Sequence, residues 1–209
     1  MFIVLEGIDG AGKGRQREEL LARLASDPAK QITSVEFPDH QGFLYKEIIK
    51  PVLMQKKTAT KNAMFLAFAL DQLLYQEKIK DSLGSLTQYF ICDGYFTTNL
   101  AYNCILNNYF TLDTAISLAH DFDIYQPDIS LFLDVEPETC IARKQQEAGH
   151  EQGLDIYERS LAKQKKLQQA YLSMVKDHIF GKWQLIDGNG TIAEVSQLVY
   201  QYLLDNKFI

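Results

Sequence analysis

The chain has 209 residues, of which 46% are hydrophobic and 23% charged, and its formal net charge at pH 7 is −6. This length suits one large domain with a buried core. The negative charge argues against a partner that is a nucleic-acid polymer, and no apolar stretch approaches the ~20 residues of a membrane span. Cys92, Cys104 and Cys140 form no metal-ligand or disulfide pattern, so we expect a reduced, cytoplasmic compartment.

Short apolar segments alternate along the chain with segments of helical periodicity. The apolar segments predict strands at Phe2–Glu6, Ile32–Phe37, Tyr89–Asp93, Ile129–Val135 and Trp183–Asp187. The remaining segments predict helices at Gly12–Ala25, Gly42–Leu53 (one or two), Lys61–Leu83, Phe96–Leu106, Asp113–Phe122, from Pro137 onwards, Asp155–Ile179 and Ile192–Leu204. Lys61–Leu83 is apolar almost all round, which predicts a central helix.

This alternation predicts an α/β fold with three layers, α/β/α, around a five-stranded parallel sheet in a single domain spanning residues 1–209. Crossovers between parallel strands are right-handed, and ligands bind at the carboxyl ends of the strands. Each chemical motif described below follows a predicted strand directly. We therefore expect these motifs to meet at one edge of the sheet.

The segment from Gly7 to Lys13 has the spacing G-x-x-x-x-G-K between a predicted strand and a helix, which is the context of a phosphate-binding loop. Glycines allow the backbone amides to turn inward, and the helix N-terminus adds partial positive charge. Lys13 would reach the β- and γ-phosphates of ATP. A glycine-rich turn without a ligand is the alternative. The expected ATP-binding residues in this segment are Gly7, Asp9, Gly10, Ala11, Gly12, Lys13, Gly14 and Arg15.

The loop departs from the usual pattern immediately after Lys13. A Ser or Thr hydroxyl normally follows the lysine and binds Mg²⁺, but Gly14 and Arg15 stand here. Mg²⁺ could instead be held through waters and carboxylates, because it dehydrates reluctantly. Arg15 has two interpretations: a catalytic cation near the phosphates, or a side chain that faces solvent on the first helical turn.

Six segments in register resemble the thymidylate kinase family, whose members have the fold of P-loop nucleoside monophosphate kinases. The segments are Phe2–Lys13 with Gln16, Phe37-Pro38-Asp39, Leu66–Gln72, Asp93-Gly94-Tyr95 with Asn99 and Tyr102, Pro127–Glu138, and Arg143 through Asp155 to Glu158. The resemblance covers nearly the whole chain and implies phosphoryl transfer from ATP to a deoxynucleoside monophosphate, most simply dTMP. It also implies Mg²⁺, a homodimer, and a small lid at about 143–155 that closes over the phosphates.

The resemblance also implies roles for residues of the acceptor site. Asp9 would contact the sugar 3′-hydroxyl, Phe68 would stack on the base, and Asn99 and Tyr102 would line the base and sugar pocket. Core packing is the alternative for Phe68 and Tyr102. The full set of expected acceptor residues is Asp9, Phe37, Pro38, His40, Phe68, Gln72, Gly94, Asn99, Tyr102 and Glu158.

On the donor side, the resemblance implies that Asp93 positions Mg²⁺ or its waters. Arg143 would reach the phosphates from the lid, Glu158 would organise the same corner, and Asn189 would lie in a turn beside the adenine. A solvated role is the alternative for Arg143. Lys13, Asp93, Arg143 and Arg15 are thus the expected catalytic residues.

Two arginines of the family are absent, since Gln72 and Gly94 occupy their positions. The family's arginine at the second position grips the acceptor phosphate. Three hypotheses remain open: a thymidylate kinase with rearranged cations such as His40, Lys46 or Arg15, a related kinase with a changed acceptor, and a nucleotide-binding regulatory protein with little catalysis.

Overall fold

The computed structural model describes residues 1–146 and 160–209. Its strands are β1 (Phe2–Glu6), β2 (Gln31–Glu36), β3 (Gln88–Asp93), β4 (Ile129–Asp134) and β5 (Trp183–Asp187). All four pairings are parallel, and the strand order is β2-β3-β1-β4-β5. The predicted five-stranded parallel sheet is confirmed.

Helices join the successive strands, as parallel pairing requires. They are α1 (Lys13–Leu24), α2 (Lys50–Leu53), α3 (Lys61–Leu73), α4 (Gln76–Ser82), α5 (Phe96–Leu100), α6 (Leu112–Asp121), α7 (Pro137–Gln146), α8 (Leu161–Asp177) and α9 (Ile192–Asp205). A π-helical turn at Tyr45–Ile49 leads into α2, and a second at Ala101–Leu106 continues α5. Side chains of Thr60, Thr111, Ser160 and Thr191 cap the first turns of α3, α6, α8 and α9.

The prediction of one central helix at Lys61–Leu83 was wrong in two respects. The helix breaks at Tyr75, whose hydroxyl donates to Asp39 Oδ2 at 2.8 Å and whose ring packs edge-on against Phe37. In addition, a stripe of leucines on α3 remains in solvent rather than in the core. Tertiary contacts of a single side chain therefore override the helical periodicity here.

β1 lies in the middle of the sheet, and all five of its side chains are buried. Because β3 and β4 flank it, the loop after Glu6 lies between the ends of the two neighbouring strands. The switch point of a parallel α/β sheet, where ligands bind, is thus occupied by the glycine-rich loop. The structure describes the predicted lid only as far as residue 146. In the helix predicted at Asp155–Ile179, residues 155–159 lie outside the described part.

Candidate active site

The loop between β1 and α1 folds as a compact turn around the side chain of Lys13. Its Nζ donates to the carbonyl oxygens of Gly7 at 3.0 Å and Ile8 at 3.4 Å. Gly12 caps α1 with a left-handed φ of 93°, a conformation that glycine adopts without steric cost. The backbone amides at the start of α1 have no side-chain cap. They are therefore available to an anion at this helix N-terminus.

The loop packs directly against α7. A Cβ added to Gly10, whose φ is +88°, would lie 2.3 Å from the carbonyl oxygen of Cys140. From the next turn of α7, Arg143 donates to the carbonyl oxygens of Ala11 at 3.4 Å and Gly188 at 3.3 Å. The structure thus brings Arg143 onto the phosphate loop, between the ends of β1 and β5.

Asp93 ends β3 as a buried carboxylate beside the same loop. A Cβ built on Gly14 would lie 3.4 Å from Asp93 Oδ2, so the position that usually carries the Mg²⁺-binding hydroxyl faces this carboxylate. Burial raises the pKa of Asp93, and the charge of Lys13 opposes that rise. For Lys13, burial lowers the pKa, but the charges of Asp93, Asp9 and Glu6 outweigh it and raise the pKa above its ordinary value.

Glu6 is a second buried carboxylate, and sequence analysis did not single it out. It accepts hydrogen bonds from the hydroxyls of Thr97 and Thr98, and Lys13 stabilises its charge. Burial nevertheless raises the pKa of Glu6 to about 7. The hydroxyl of Thr98 also accepts from the Tyr95 amide, which ties Glu6 to the loop after Asp93. The sequence signal that could have identified Glu6 is a charged residue at the end of an otherwise apolar strand.

One of the expected acceptor residues, Tyr102, contacts Asp9. Tyr102 donates its hydroxyl to Asp9 Oδ2 at 3.0 Å, and Asp9 Oδ1 lies 4.0 Å from Lys13 Nζ. The Asn99 side chain is buried and donates to the Phe65 carbonyl at 3.2 Å, so it fastens α5 to α3. Phe68 is half-buried on α3.

The two positions that lack the family arginines are both buried. Gln72 has a side-chain oxygen without a hydrogen-bond partner among the residues described. Gly94 has a φ of +67°, and a Cβ there would lie 3.1 Å from Thr98 Oγ1 and 3.2 Å from the Phe37 carbonyl. An arginine at position 94 of this backbone would therefore be strained.

Three expected cations are engaged with partners of their own. Arg15 is exposed and pairs with Glu18 at 3.1 Å and Glu19 at 3.2 Å on the outer face of α1. Lys46 donates to the Gln41 carbonyl, and His40 Nδ1 lies 3.7 Å from Glu36 Oε1. The expectation of Arg15 as a catalytic cation is thus not supported by the geometry, because its guanidinium is held by carboxylates on its own helix.

Two further expected regions flank the site. The Phe37 ring packs against Tyr75 and Tyr95, and Pro38 follows it through a cis peptide bond at the end of β2. At the opposite side, Asn189 accepts from the Glu136 amide and donates to Asp187, which shapes the turn contacted by Arg143. Glu158 lies outside the described residues.

Arg17 is the other residue near this site that sequence analysis missed. It lies one helical turn after Lys13, a spacing that places both side chains on one face of α1. Its charge opposes the burial-induced rise in the pKa of Asp93. Helical spacing from Lys13 and Gly14 could have identified it.

In the described part of the chain, no three or more His, Cys, Asp or Glu side chains cluster in a way that could hold a metal ion. The same residues contain no helix long and apolar enough to cross a membrane.

A glycine loop that bears a lysine, at the end of the central strand and beside buried carboxylates, defines the class as a P-loop phosphotransferase. The thymidylate kinase family matches residues 5–199, and the chain belongs to that family. It is 28% identical to a probable thymidylate kinase of Methanococcus aeolicus over 100% of this chain and 98% of that protein. It is 31% identical to the thymidylate kinase of Chlorobium limicola over 84% and 82% of the two chains. The structure of the Candida albicans thymidylate kinase has the same fold, with a TM-score of 0.74, 23% identity, and coverage of 99% and 92%.

The buried Glu6 predicts a specific pH dependence of stability. Because its pKa is higher in the folded state than the ordinary 4.5, the folded state binds the extra proton, and stability falls as pH rises from about 4.5 to about 7. A shift of this size corresponds to roughly 3 kcal/mol in the free energy of unfolding. Glutamine resembles the protonated acid and does not titrate. We therefore expect the free energy of unfolding of Glu6→Gln to lack the decline that Glu6 causes between about pH 4.5 and 7.

Urea unfolding of wild type and Glu6→Gln at several pH values between 4.5 and 8 measures the effect. The exposed Glu77→Gln, in the first turn of α4, is the matched control. Parallel pH profiles for wild type and Glu6→Gln would show that Glu6 does not titrate in this range.

Proposed function

We propose that this protein transfers the γ-phosphoryl group of ATP to dTMP, giving dTDP and ADP. The family match over residues 5–199 is the observation that carries the proposal. The geometry adds support, since Lys13, Asp9 and Asp93 lie together at the ends of β1 and β3, and Arg143 contacts the loop from α7. We further propose a cytoplasmic location, which agrees with three buried cysteines that are free of disulfides.

In the proposed reaction, an oxygen of the acceptor phosphate attacks the γ-phosphorus in line. A bond forms between that oxygen and phosphorus as the bond to the bridging β-γ oxygen breaks, and ADP leaves with the bonding electrons. The protein supplies positioning and positive charge rather than a covalent intermediate. Lys13 would release the carbonyl oxygens of Gly7 and Ile8 and bind phosphate oxygens instead.

We propose that Asp93 is the protein residue that holds Mg²⁺, through water or directly. Its buried carboxylate faces the backbone of Gly14, where other P-loop proteins present a hydroxyl. When bound, Mg²⁺ neutralises charge on the β- and γ-phosphates. Burial disfavours a bare carboxylate at this position, so a bound cation would also relieve the desolvation of Asp93.

A second function, a kinase of the same fold with a different acceptor, is favoured by Gln72 and Gly94. Gln72 retains a buried oxygen without a hydrogen-bond partner among the described residues, and a carboxamide can both donate and accept. A nucleotide-binding protein with little catalysis is the third candidate. The intact set of Lys13, Asp9, Asp93 and Arg143 argues against it.

An acceptor panel distinguishes these candidates. We expect ADP release, with ATP and Mg²⁺, to be fastest with dTMP among the common nucleoside monophosphates. Turnover with a different monophosphate would support the changed acceptor, whereas ATP binding without turnover would support the regulatory protein.

Lys13→Ala should abolish turnover because it removes the central cation of the loop, and persistent activity would contradict the assignment of the phosphate loop.

The magnesium proposal predicts the effect of restoring a hydroxyl. Gly14→Ser places its Cβ at an ordinary contact distance of 3.4 Å from Asp93 Oδ2, so the fold tolerates it. The added hydroxyl should lower the Mg²⁺ concentration needed for half-maximal activity. Gly14→Ala, with the same Cβ but no hydroxyl, is the control. Equal Mg²⁺ dependence in the two variants would contradict a metal position beside residue 14.

We also propose a homodimer formed through α3 and its neighbours. Leu66 and Leu70 on α3 and Leu74 at its C-cap repeat at a spacing of four and are 51%, 46% and 69% exposed. An apolar groove lined in part by Phe65, Phe110 and the flanking α6 lies beside this stripe. A continuous exposed apolar surface of this kind is typical of a subunit interface.

Sedimentation velocity tests the homodimer. We expect Leu70→Glu to shift the protein to monomer, because a carboxylate cannot be buried unpaired in an apolar interface. Leu204→Glu on α9 is the matched control, since Leu204 is exposed to a similar degree at 45%. A dimer that persists in Leu70→Glu, or a wild-type monomer, would rule out this interface.

A further inference from the structure

The cations around the phosphate loop are unevenly distributed between the two sides of the site. On the side of β4 and β5, Arg143 bridges the loop and the turn at Gly188. On the side of β3, where an acceptor would have to meet the γ-phosphate, position 94 is glycine and position 72 is glutamine. A phosphate monoester carries close to two negative charges at neutral pH, so this side requires a cation.

Arg17 is placed to supply that cation. It follows Lys13 by four residues and Gly14 by three, on the face of α1 that meets the end of β3. Long side chains on a helix generally extend toward the helix N-terminus, which in α1 adjoins the phosphate loop. The Arg17 charge acts on both Cys92 and Asp93, the last two residues of β3.

The guanidinium of Arg17 is also incompletely satisfied. Its Nε is buried and has no hydrogen-bond partner within residues 1–146 and 160–209. A buried donor without a partner is unfavourable unless a ligand completes its bonding. Moreover, Lys13 and Arg17 are like charges one turn apart, an arrangement that a shared anion between them would stabilise.

Three other basic side chains that sequence analysis considered for this role, all in the described part of the chain, already have partners. Arg15 pairs with Glu18 and Glu19, Lys46 with Gln41, and His40 lies beside Glu36. We propose that Arg17 binds the phosphate of the acceptor nucleotide and so replaces the missing arginine at position 94. A planar guanidinium suits this role because it can donate two parallel hydrogen bonds to phosphate. The proposal rests on the proposed function, since it assumes a nucleoside monophosphate as acceptor.

Calorimetric titration with a nucleotide and its nucleoside isolates the phosphate contact. For Arg17→Gln we expect dTMP affinity to fall about 10- to 100-fold, the loss typical of one charge-assisted hydrogen-bonding group. Affinity for thymidine, which has no phosphate, should be unchanged. The dTMP affinity of Arg17→Lys should lie between those of wild type and Arg17→Gln, since lysine keeps the charge but cannot donate two parallel hydrogen bonds. Arg23→Gln, on the same helix but bonded to Gln197 and stacked on Tyr200, is the matched control.

Each outcome of these titrations decides the proposal. An equal loss of affinity for dTMP and thymidine, or no loss of affinity for either, would overturn it. A change confined to the Mg²⁺ dependence of turnover would also overturn it, because Arg17 would then act only on Asp93. If the wild-type protein prefers another monophosphate, the proposed function fails, and the same comparison with that monophosphate and its nucleoside decides the role of Arg17. Thermal unfolding of each variant verifies that the protein is folded.

Discussion

The acids of the site are arranged around the ammonium group of Lys13. Asp93, Asp9 and Glu6 all raise its pKa, and its charge in turn opposes the burial-induced rise in the pKa of Glu6 and Asp93. These carboxylates come from the end of β1, the loop and the end of β3, so one cation links three neighbouring segments. Without it, burial would favour neutral acids, and the site would lose the charge pattern that suits a metal and phosphates.

The position of this cluster follows from the topology of the sheet. β1 lies between β3 and β4, and its parallel neighbours end at the same edge. Residues far apart in sequence, such as Lys13 and Asp93, are thereby brought together without a long loop. On one side of β1, Arg143 contacts the loop, and on the other side the charge of Arg17 acts on Asp93. In the proposed reaction, each phosphate-bearing substrate would thus meet a cation.

Much of this arrangement could be predicted from the sequence, because strands that are buried on both faces are continuous apolar runs. β1 and β5 were predicted with their observed bounds, and Lys13, Asp9 and Asp93 lie together at the expected edge. The break at Tyr75 could not be predicted, since it depends on Asp39 and Phe37 from another segment. Likewise, the direction of Arg15 depends on its ion pairs with Glu18 and Glu19, and sequence left both of its interpretations open.

The contact between Gly10 and the backbone of Cys140 also constrains how this protein can evolve. A Cβ at position 10 would lie 2.3 Å from the Cys140 carbonyl oxygen, so either the loop or α7, which carries Arg143, would have to shift. The left-handed φ of +88° at position 10 would strain a larger residue in addition to this steric conflict. Position 10 of this backbone therefore has to remain glycine for as long as α7 keeps its place against the loop.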